Sequence, residues 1–144
     1  MLLQEILHAK GSTVHTIRPD ANLTEVVQTL VQRNCGSLVV CEASNPRRLL
    51  GIVTERDILR ASAKNHDNFD RLKVNDVMTS NVVTGSLTDT VEDTMGLMTD
   101  RRVRHLPVLE GGALVGIISI GDVVKAQHDA LTMENHYLKS YIQG

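Results

Sequence analysis

The segment GIVTERDILRA at residues 51–61 returns later in the chain as GIISIGDVVKA at residues 116–126. Each copy opens with a glycine and two β-branched residues, which is typical of a strand, and continues with aliphatic residues at helical spacing. A shift of 65 residues places Gly51 on Gly116 and Asp57 on Asp122. The chain therefore contains an internal repeat in which a strand runs directly into a helix.

The repeat extends upstream of this segment. A shift of 68 residues aligns identical residues of the two copies: Val14, Thr16, Arg33, Leu38 and Val40 fall on Val82, Thr84, Arg101, Leu106 and Val108. A unit of about 50 residues is too small to bury a sheet alone, so we expect the two copies to pack on each other. We divide the 144 residues into a first repeat with an N-terminal lead-in helix, 1–73, and a second repeat with an extended C-terminal helix, 74–144.

Periodicity predicts the elements of each repeat. A helical stripe in the first repeat consists of Leu23, Val26, Val27, Leu30 and Val31. Asn22 and Thr90 stand at the matching N-cap positions, with Glu25 and Asp93 three residues on. Pairs of strands follow, SLVVC with LLGIV and HLPVL with ALVGII, separated by turn residues Ser44 to Pro46 and Gly111 to Gly112. The predicted fold class is α/β, with two pseudo-symmetric β-α-β-β-α repeats packed sheet to sheet and a C-terminal helical extension.

Composition excludes several classes of function. Aromatic residues make up 2% of the chain, and 15 Lys and Arg face 17 Asp and Glu for a net charge of -2. These values argue against a base-stacking platform or a basic nucleic-acid surface. No apolar run approaches the roughly 18 residues of a membrane span, and the N-terminus, with Glu5, does not resemble a signal peptide. We therefore expect no nucleic-acid partner and no membrane association.

The two cysteines indicate a compartment. Cys35 and Cys41 are six residues apart in a predicted strand, roughly 20 Å at 3.3 Å per residue, which is too far for a disulfide. They lack the spacing of a zinc or redox motif. Reduced thiols of this kind predict a cytoplasmic protein.

The segments Thr54-Glu55-Arg56-Asp57 and Ser119-Ile120-Gly121-Asp122 place a hydroxyl and a carboxylate three residues apart at the start of a helix. This pattern has two interpretations of similar weight. It is a helix cap that satisfies free N–H groups. It is equally suited to a ligand, because a helix N-terminus attracts phosphate and a carboxylate accepts hydrogen bonds from a ribose diol.

The order and duplication of these segments resemble a paired CBS domain protein of the stand-alone two-repeat type, often called a Bateman module. The resemblance covers essentially the whole chain and rests on ILHAKG, VNDVMTSNVVT, RPDANLTEVV, SLTDTVEDTM and RVRHLPVL, together with the two segments quoted first. It implies a regulatory protein without catalytic residues. It also implies two clefts between the repeats that bind an adenosine-containing ligand, namely AMP, ADP, ATP, NAD or S-adenosylmethionine, with no required cofactor.

The resemblance assigns residues to both clefts. The first cleft combines Thr54, Arg56 and Asp57 with Met78, Val83, Arg104 and His105, and its twin combines Ser119, Gly121 and Asp122 with Lys10, His15, Gly36 and Ser37. In this assignment the two aspartates hold the ribose, Thr54 and Ser119 face the phosphate, and Met78, Val83 and His15 line the adenine slot. The sequence departs from the family pattern at Pro19, opposite Leu87, and at Val39, opposite Pro107, so the clefts are predicted to be inequivalent.

The densest basic run is Arg101, Arg102 and Arg104. The first two suit a solvated helix C-terminus, whereas Arg104 enters a strand where its guanidinium would reach a phosphate. His15 and His105 lack a second ligand at metal spacing, so no metal site is expected. The chain also has no phosphate loop and no nucleophile paired with a base, which argues against an enzyme.

The last helix is predicted to extend past the repeat, because Val124, Leu131 and Leu138 are spaced seven apart and Ile142 lengthens their face. This stripe either caps the core or forms a subunit contact. Together with the resemblance, it leads us to expect a homodimer. Two functions follow: a nucleotide sensor that modulates an unknown separate protein, or a ligand-independent dimerisation scaffold.

Overall fold

The structure, a computed structural model, describes residues 1–143, with Gln143 described by its backbone alone. The helices are α1 Leu3–Lys10, α2 Leu23–Arg33, α3 Glu55–Lys64, α4 Val74–Val77, α5 Val91–Arg101 and α6 Ile120–Gln143, with a 3-10 helix at His66–Arg71. The strands are β1 Thr16–Ile17, β2 Ser37–Glu42, β3 Asn45–Thr54, β4 Gly85–Ser86, β5 His105–Glu110 and β6 Ala113–Ser119.

The strands form two three-stranded sheets of the same design. Their orders are β1-β2-β3 and β4-β5-β6. In each sheet the short first strand pairs in parallel with the middle strand, and the middle and last strands are antiparallel. The predicted α/β class and the repeated strand, helix, strand, strand, helix order are confirmed.

The core has three parts. One cluster in the first repeat includes Leu23, Leu38 and Val53, and one in the second repeat includes Leu106 and Ile118. A third cluster joins the sheets, with Val39 and Cys41 of β2 against Leu114 of β6. Contact between the sheets through aliphatic side chains matches the predicted sheet-to-sheet packing.

The lead-in helices pack on the opposite repeats. Leu3, Ile6 and Leu7 of α1 are buried in the core of the second repeat, and the backbone N of Leu3 donates to the carbonyl of Asp89 at 2.9 Å. Val74 of α4 is buried in the core of the first repeat. The boundary at residue 73 stays a prediction, and the packing of α1 and α4 crosses it in both directions.

The predicted N-caps of α2 and α5 are confirmed. The Asn22 side-chain oxygen accepts from the backbone N of Glu25 at 2.8 Å, and the Thr90 hydroxyl accepts from the backbone N of Asp93 at 3.1 Å. The predicted stripe on α2 is too wide, however. Val31 is 77% exposed and Val27 is exposed as well, because the sheet covers only one side of the helix.

Two local expectations in the first repeat are wrong. Asn45 and Pro46 belong to β3, so the turn consists of Ala43 and Ser44 alone. Cys35 precedes β2 instead of lying in it. Both Cys35 and Cys41 are free thiols.

Helix α6 serves the core only at its start. Val123 and Ala126 are buried, but every residue from His128 to Ile142 is exposed. Leu131 is 62% exposed and Leu138 is 54% exposed. Capping of the core therefore accounts for the first two turns and leaves the rest of the apolar stripe uncovered. None of the helices over the described residues is both long and apolar enough to cross a membrane.

Candidate functional site

Thr54 ends β3 and caps α3. Its backbone N donates to Oδ2 of Asp57 at 2.9 Å, and its hydroxyl lies 3.1 Å from the same oxygen. The hydroxyl also accepts from the backbone N of Asp57 at 3.3 Å. This is a complete capping box, so the capping interpretation of the motif is present in the structure. Among the hydrogen bonds of the described residues, Oδ1 of Asp57 takes part in none.

Ser119 and Asp122 reproduce this geometry at the start of α6, with one added partner. The backbone N of Ser119 donates to Oδ2 of Asp122 at 2.8 Å, and the Ser119 hydroxyl accepts from the backbone N of Asp122 at 3.1 Å. Lys10, the last residue of α1, donates from Nζ to the same Oδ2 at 2.6 Å. Burial alone would raise the pKa of Asp122, but the hydrogen bonds from Lys10 and Ser119 outweigh it and hold the pKa below its usual value. Asp122 is therefore charged and already paired.

Met78 follows the short lead-in helix α4 and corresponds in the structure to Leu7 of α1. The backbone N of Val74 donates to the carbonyl of Ala21 as that of Leu3 donates to the equivalent carbonyl of Asp89, and α4 ends at Val77, before any counterpart of Lys10. The backbone of Thr79 pairs with Ile52 of β3 through two hydrogen bonds of 2.9 and 2.8 Å. A Cβ on Gly51 would lie 2.8 Å from Sδ of Met78. The absent side chain at Gly51 thus lets the uncharged Met78 side chain lie against β3.

The starts of β2 and β5 lie beside the helix entries of their own repeats. Ser37 pairs with Thr54, and the backbone N of Glu55 donates to the carbonyl of Gly36 at 3.1 Å. In the second repeat His105 pairs with Ser119 in the same way, and the Ile120 backbone N donates to the carbonyl of Arg104 at 2.8 Å. The family assignment instead places each strand start in the cleft that contains the aspartate of the other repeat. Backbone position alone favours the cleft of the same repeat.

His105 connects the two strand starts. A Cβ on Gly36 would lie 3.3 Å from Cε1 of His105 and 3.6 Å from a carboxylate oxygen of Glu55. Burial lowers the pKa of His105, while the nearby carboxylate of Glu55 opposes that shift. The neutral imidazole therefore lies against Gly36 of the other repeat. Residues assigned to the two predicted clefts are thus neighbours at this point.

The two segments that the family assignment gives to adenine differ in their backbone hydrogen bonds. The carbonyl of His15 accepts from the backbone N of Val39 at 3.0 Å. In the second repeat the residue equivalent to Val39 is Pro107, which has no N–H, so the carbonyl of Val83 lacks this partner. Arg56 and Gly121, in the first turns of α3 and α6, are exposed.

Sequence reasoning missed Glu55. Its side chain approaches Gly36, and its charge acts on His105. Its equivalent in the second repeat, Ile120, is apolar, so comparison of the repeats gave no signal for Glu55.

No predicted site residue lines either of two open surface cavities, whose volumes are about 480 and 260 Å³. The larger lies at the hairpin end of the sheets and is lined by Ser12, Val14, Thr16, Pro46, Arg47, Leu114 and Val115. Over residues 1–143, no three His, Cys, Asp or Glu side chains are grouped as a metal site would require.

Two comparisons of sequence identify the relatives of this chain. The model of the CBS domain family matches residues 11–64 and again residues 74–129. The CBS domain-containing protein CBSX3, mitochondrial, of Arabidopsis thaliana is 38% identical over 148 residues, which cover 99% of this chain and 72% of that protein.

Solved structures agree. The CBS-domain containing protein ATU1752 from Agrobacterium tumefaciens is 41% identical with a TM-score of 0.84, covering 88% of this chain and 99% of that one. The CBS domain protein PAE2072 from Pyrobaculum aerophilum, crystallised with AMP, is 30% identical with a TM-score of 0.75, covering 85% of this chain and 89% of that one. With two family matches, a duplicated sheet and helix entry, and these relatives, the chain belongs to the CBS domain family.

Proposed function

We propose that this protein is a regulatory module that binds adenosine-containing nucleotides of the AMP, ADP, ATP or NAD type in two clefts between its repeats and modulates a separate protein. The observation that carries the proposal is the matched pair Asp57 and Asp122. Each lies three residues into a helix entry and uses Oδ2 for the cap. The other carboxylate oxygen is left to accept from a ribose hydroxyl.

A relative supports the ligand class. PAE2072 was crystallised with AMP, and it shares the fold over 85% of this chain at 30% identity. Ligand binding changes the activity of a partner only when the two conformations differ in affinity for the ligand, typically by about 1 to 3 kcal/mol of coupling. Regulation of a second protein would rest on such a difference.

Charge and backbone chemistry supply groups for the rest of a nucleotide. The exposed guanidinium groups of Arg56 and Arg104 are suited to a phosphate. The carbonyl of Val83, which Pro107 does not engage, is suited to accept from the amino group of adenine. These roles extend the family assignment and depend on ligand entering the clefts.

Calorimetry with AMP tests the proposal. The parent protein is expected to bind AMP, Asp57→Ala to lose one site and Asp122→Ala to lose the other. Each substitution is also expected to cost about 0.5 to 2 kcal/mol of stability through the lost cap. Asp93→Ala is the matched control, because Asp93 holds the same position in α5 outside the clefts, and it should bind AMP as the parent does.

2′-Deoxy-AMP separates ribose recognition from general effects. We expect it to bind about 1.5 to 3 kcal/mol more weakly than AMP, because a charged acceptor loses its donor. If both alanine variants bind AMP and its deoxy analogue as the parent does, Asp57 and Asp122 are caps only and the ribose role is wrong.

A second function, a ligand-independent dimerisation scaffold, is favoured by α6. Its exposed residues Leu131, Tyr137, Leu138 and Tyr141 leave an apolar surface uncovered in one copy of the chain. We propose a homodimer that covers this surface. Sedimentation should show a dimer that Leu131→Glu combined with Leu138→Glu converts to a monomer. A parent protein that sediments as a monomer contradicts the homodimer, and AMP binding by the monomeric variant would separate sensing from dimerisation.

We also propose a regulatory, non-catalytic protein of a reducing compartment such as the cytoplasm. The pair of free thiols supports the reducing compartment. Burial raises the pKa of Cys35 and of Cys41, which keeps the unreactive thiol form. Alkylation of unreduced protein followed by mass spectrometry should find both thiols labelled after unfolding, whereas an internal disulfide would contradict the assignment.

A further inference from the structure

We propose that Lys10 makes the Asp122 cleft the weaker of the two nucleotide clefts, because its ammonium group competes with the ligand for Asp122. The inference rests on the proposed function and goes beyond it, since it names the residue that sets the order in which the clefts fill. It also makes the end of α1 respond to occupancy of one cleft only.

The competition follows from the lone pairs of a single atom. Oδ2 of Asp122 accepts from the backbone N of Ser119 at 2.8 Å and from Nζ of Lys10 at 2.6 Å. A carboxylate oxygen has two lone pairs, so Oδ2 is saturated. A ribose diol that uses both oxygens of Asp122 must displace Lys10. The side chains of Lys10 and Asp122 are 31% and 23% exposed, so solvent screens their attraction less than that of a surface pair.

The Asp57 cleft carries no such competitor. Helix α4 ends at Val77 and has no counterpart of the last turn of α1, which carries Lys10. The second bond to Oδ2 of Asp57 comes from the Thr54 hydroxyl, which can rotate toward a ligand without breaking an ion pair. Binding of a diol at Asp57 therefore costs less than binding at Asp122.

Displacement of Lys10 affects the end of α1, where the chain crosses from one repeat to the other. The first part of α1 is fixed, because Leu3, Ile6 and Leu7 are buried in the second repeat. Gly11 follows Lys10 with a φ of 101°, and its backbone N donates to the carbonyl of Leu7 at 2.8 Å. From Gly11 the chain passes to β1 in the first repeat. Release of Lys10 thus loosens the last turn of α1 where the chain crosses between repeats.

Removal of the Lys10 ammonium group tests the inference. In an Asp57→Ala background, where only the Asp122 cleft can bind, Lys10→Met is expected to tighten AMP and adenosine alike by roughly threefold to fivefold, the range of a partly screened ion pair. In an Asp122→Ala background the same substitution should leave AMP affinity unchanged. Thermal unfolding of each variant confirms that it is folded.

Hydrogen exchange gives a second measurement. With Asp57→Ala, saturating AMP should accelerate exchange of the Gly11 amide, and the effect should vanish with Lys10→Met. Unchanged or weaker adenosine binding in Lys10→Met overturns the inference while leaving nucleotide binding intact. Weaker binding of AMP alone would make Lys10 a phosphate ligand and also overturn it. If the Asp57→Ala protein binds no adenosine ligand, the Asp122 cleft itself is wrong. If the parent protein also binds none, the proposed function fails as well.

Discussion

The Asp57 and Asp122 clefts share the geometry of their helix entries and differ in whether a lead-in side chain bonds to the aspartate. In both clefts, a residue with a hydroxyl group ends a strand and caps the following helix, and an aspartate lies three residues further on. One lead-in segment then supplies Met78 against β3, and the other supplies Lys10 against Asp122. The duplication preserves the scaffold and leaves the charge of each cleft free to diverge. Equal geometry in two repeats therefore does not imply equal affinity.

The glycines under the two lead-in segments give the largest expected difference between the halves. A Cβ at Gly51 would lie 2.8 Å from the backbone carbonyl oxygen of Thr79, whereas one at Gly116 would meet only the side chain of Leu7, at 2.7 Å. A backbone carbonyl oxygen cannot shift aside as easily as a leucine methyl group can. We expect Gly51→Ala to cost about 3 kcal/mol of unfolding free energy and Gly116→Ala about 1 kcal/mol, within the range for overpacked cores. Urea unfolding measures both, and equal costs would contradict the difference in packing.

Arg104 tests which cleft each strand start serves. Arg104→Ala should weaken AMP by about 1.5 to 3 kcal/mol, the loss for a charge-assisted hydrogen bond, and leave adenosine nearly unaffected. Calorimetry in the Asp57→Ala and Asp122→Ala backgrounds assigns the loss to one cleft. A loss that remains in Asp122→Ala supports the family assignment to the Asp57 cleft, and a loss confined to Asp57→Ala supports the backbone position beside Ser119. Equal losses for AMP and adenosine would show that Arg104 does not meet the phosphate.

His105, whose counterpart in the first repeat is Ser37, should make the free energy of unfolding depend on pH. This is the smallest of the three expected effects. Because burial lowers the pKa of His105, the unfolded chain binds a proton more readily than the folded one. Stability is then present above the ordinary histidine pKa of about 6.5 and falls as the pH drops through it. The groups that act on the imidazole are Glu55, Arg104, Asp122 and Lys10.

Urea unfolding at about pH 7.5 and about pH 5.5 brackets that ordinary value. His105→Ser, which copies the first repeat, should reduce the loss of stability between the two conditions. An unchanged loss would show that other groups carry the pH dependence. His128→Ser is the matched control, because His128 is exposed on α6.

The sequence predicts those features that depend on order and spacing. The repeat establishes two equivalent units, and the caps at Asn22 and Thr90 follow from residue type and position alone. Spacing does not say which surface covers a given apolar side chain. For that reason the stripe on α2 wrongly includes Val31, and the packing of α1 on the second repeat was not predicted.

The same limit applies to the site. The hydroxyl and carboxylate pairs are visible in the sequence because they recur at matched positions. The approach of His105 to Gly36 is not, since the two residues are far apart in the chain and occupy non-equivalent positions. Glu55 was missed because its equivalent is Ile120, so comparison of the repeats gives no reason to select it.

The exchange of lead-in helices has a consequence for folding during synthesis. Helix α1 has eight residues, which is too short to be stable alone in water, and its apolar face is covered only when the sheet and helices of the second repeat exist. Helix α1 is therefore synthesised before the residues that cover it and is fixed only after they have been made. Until α6 emerges, Leu3, Ile6 and Leu7 stay open to chaperones and proteases, so the nascent first repeat is not a finished folding unit.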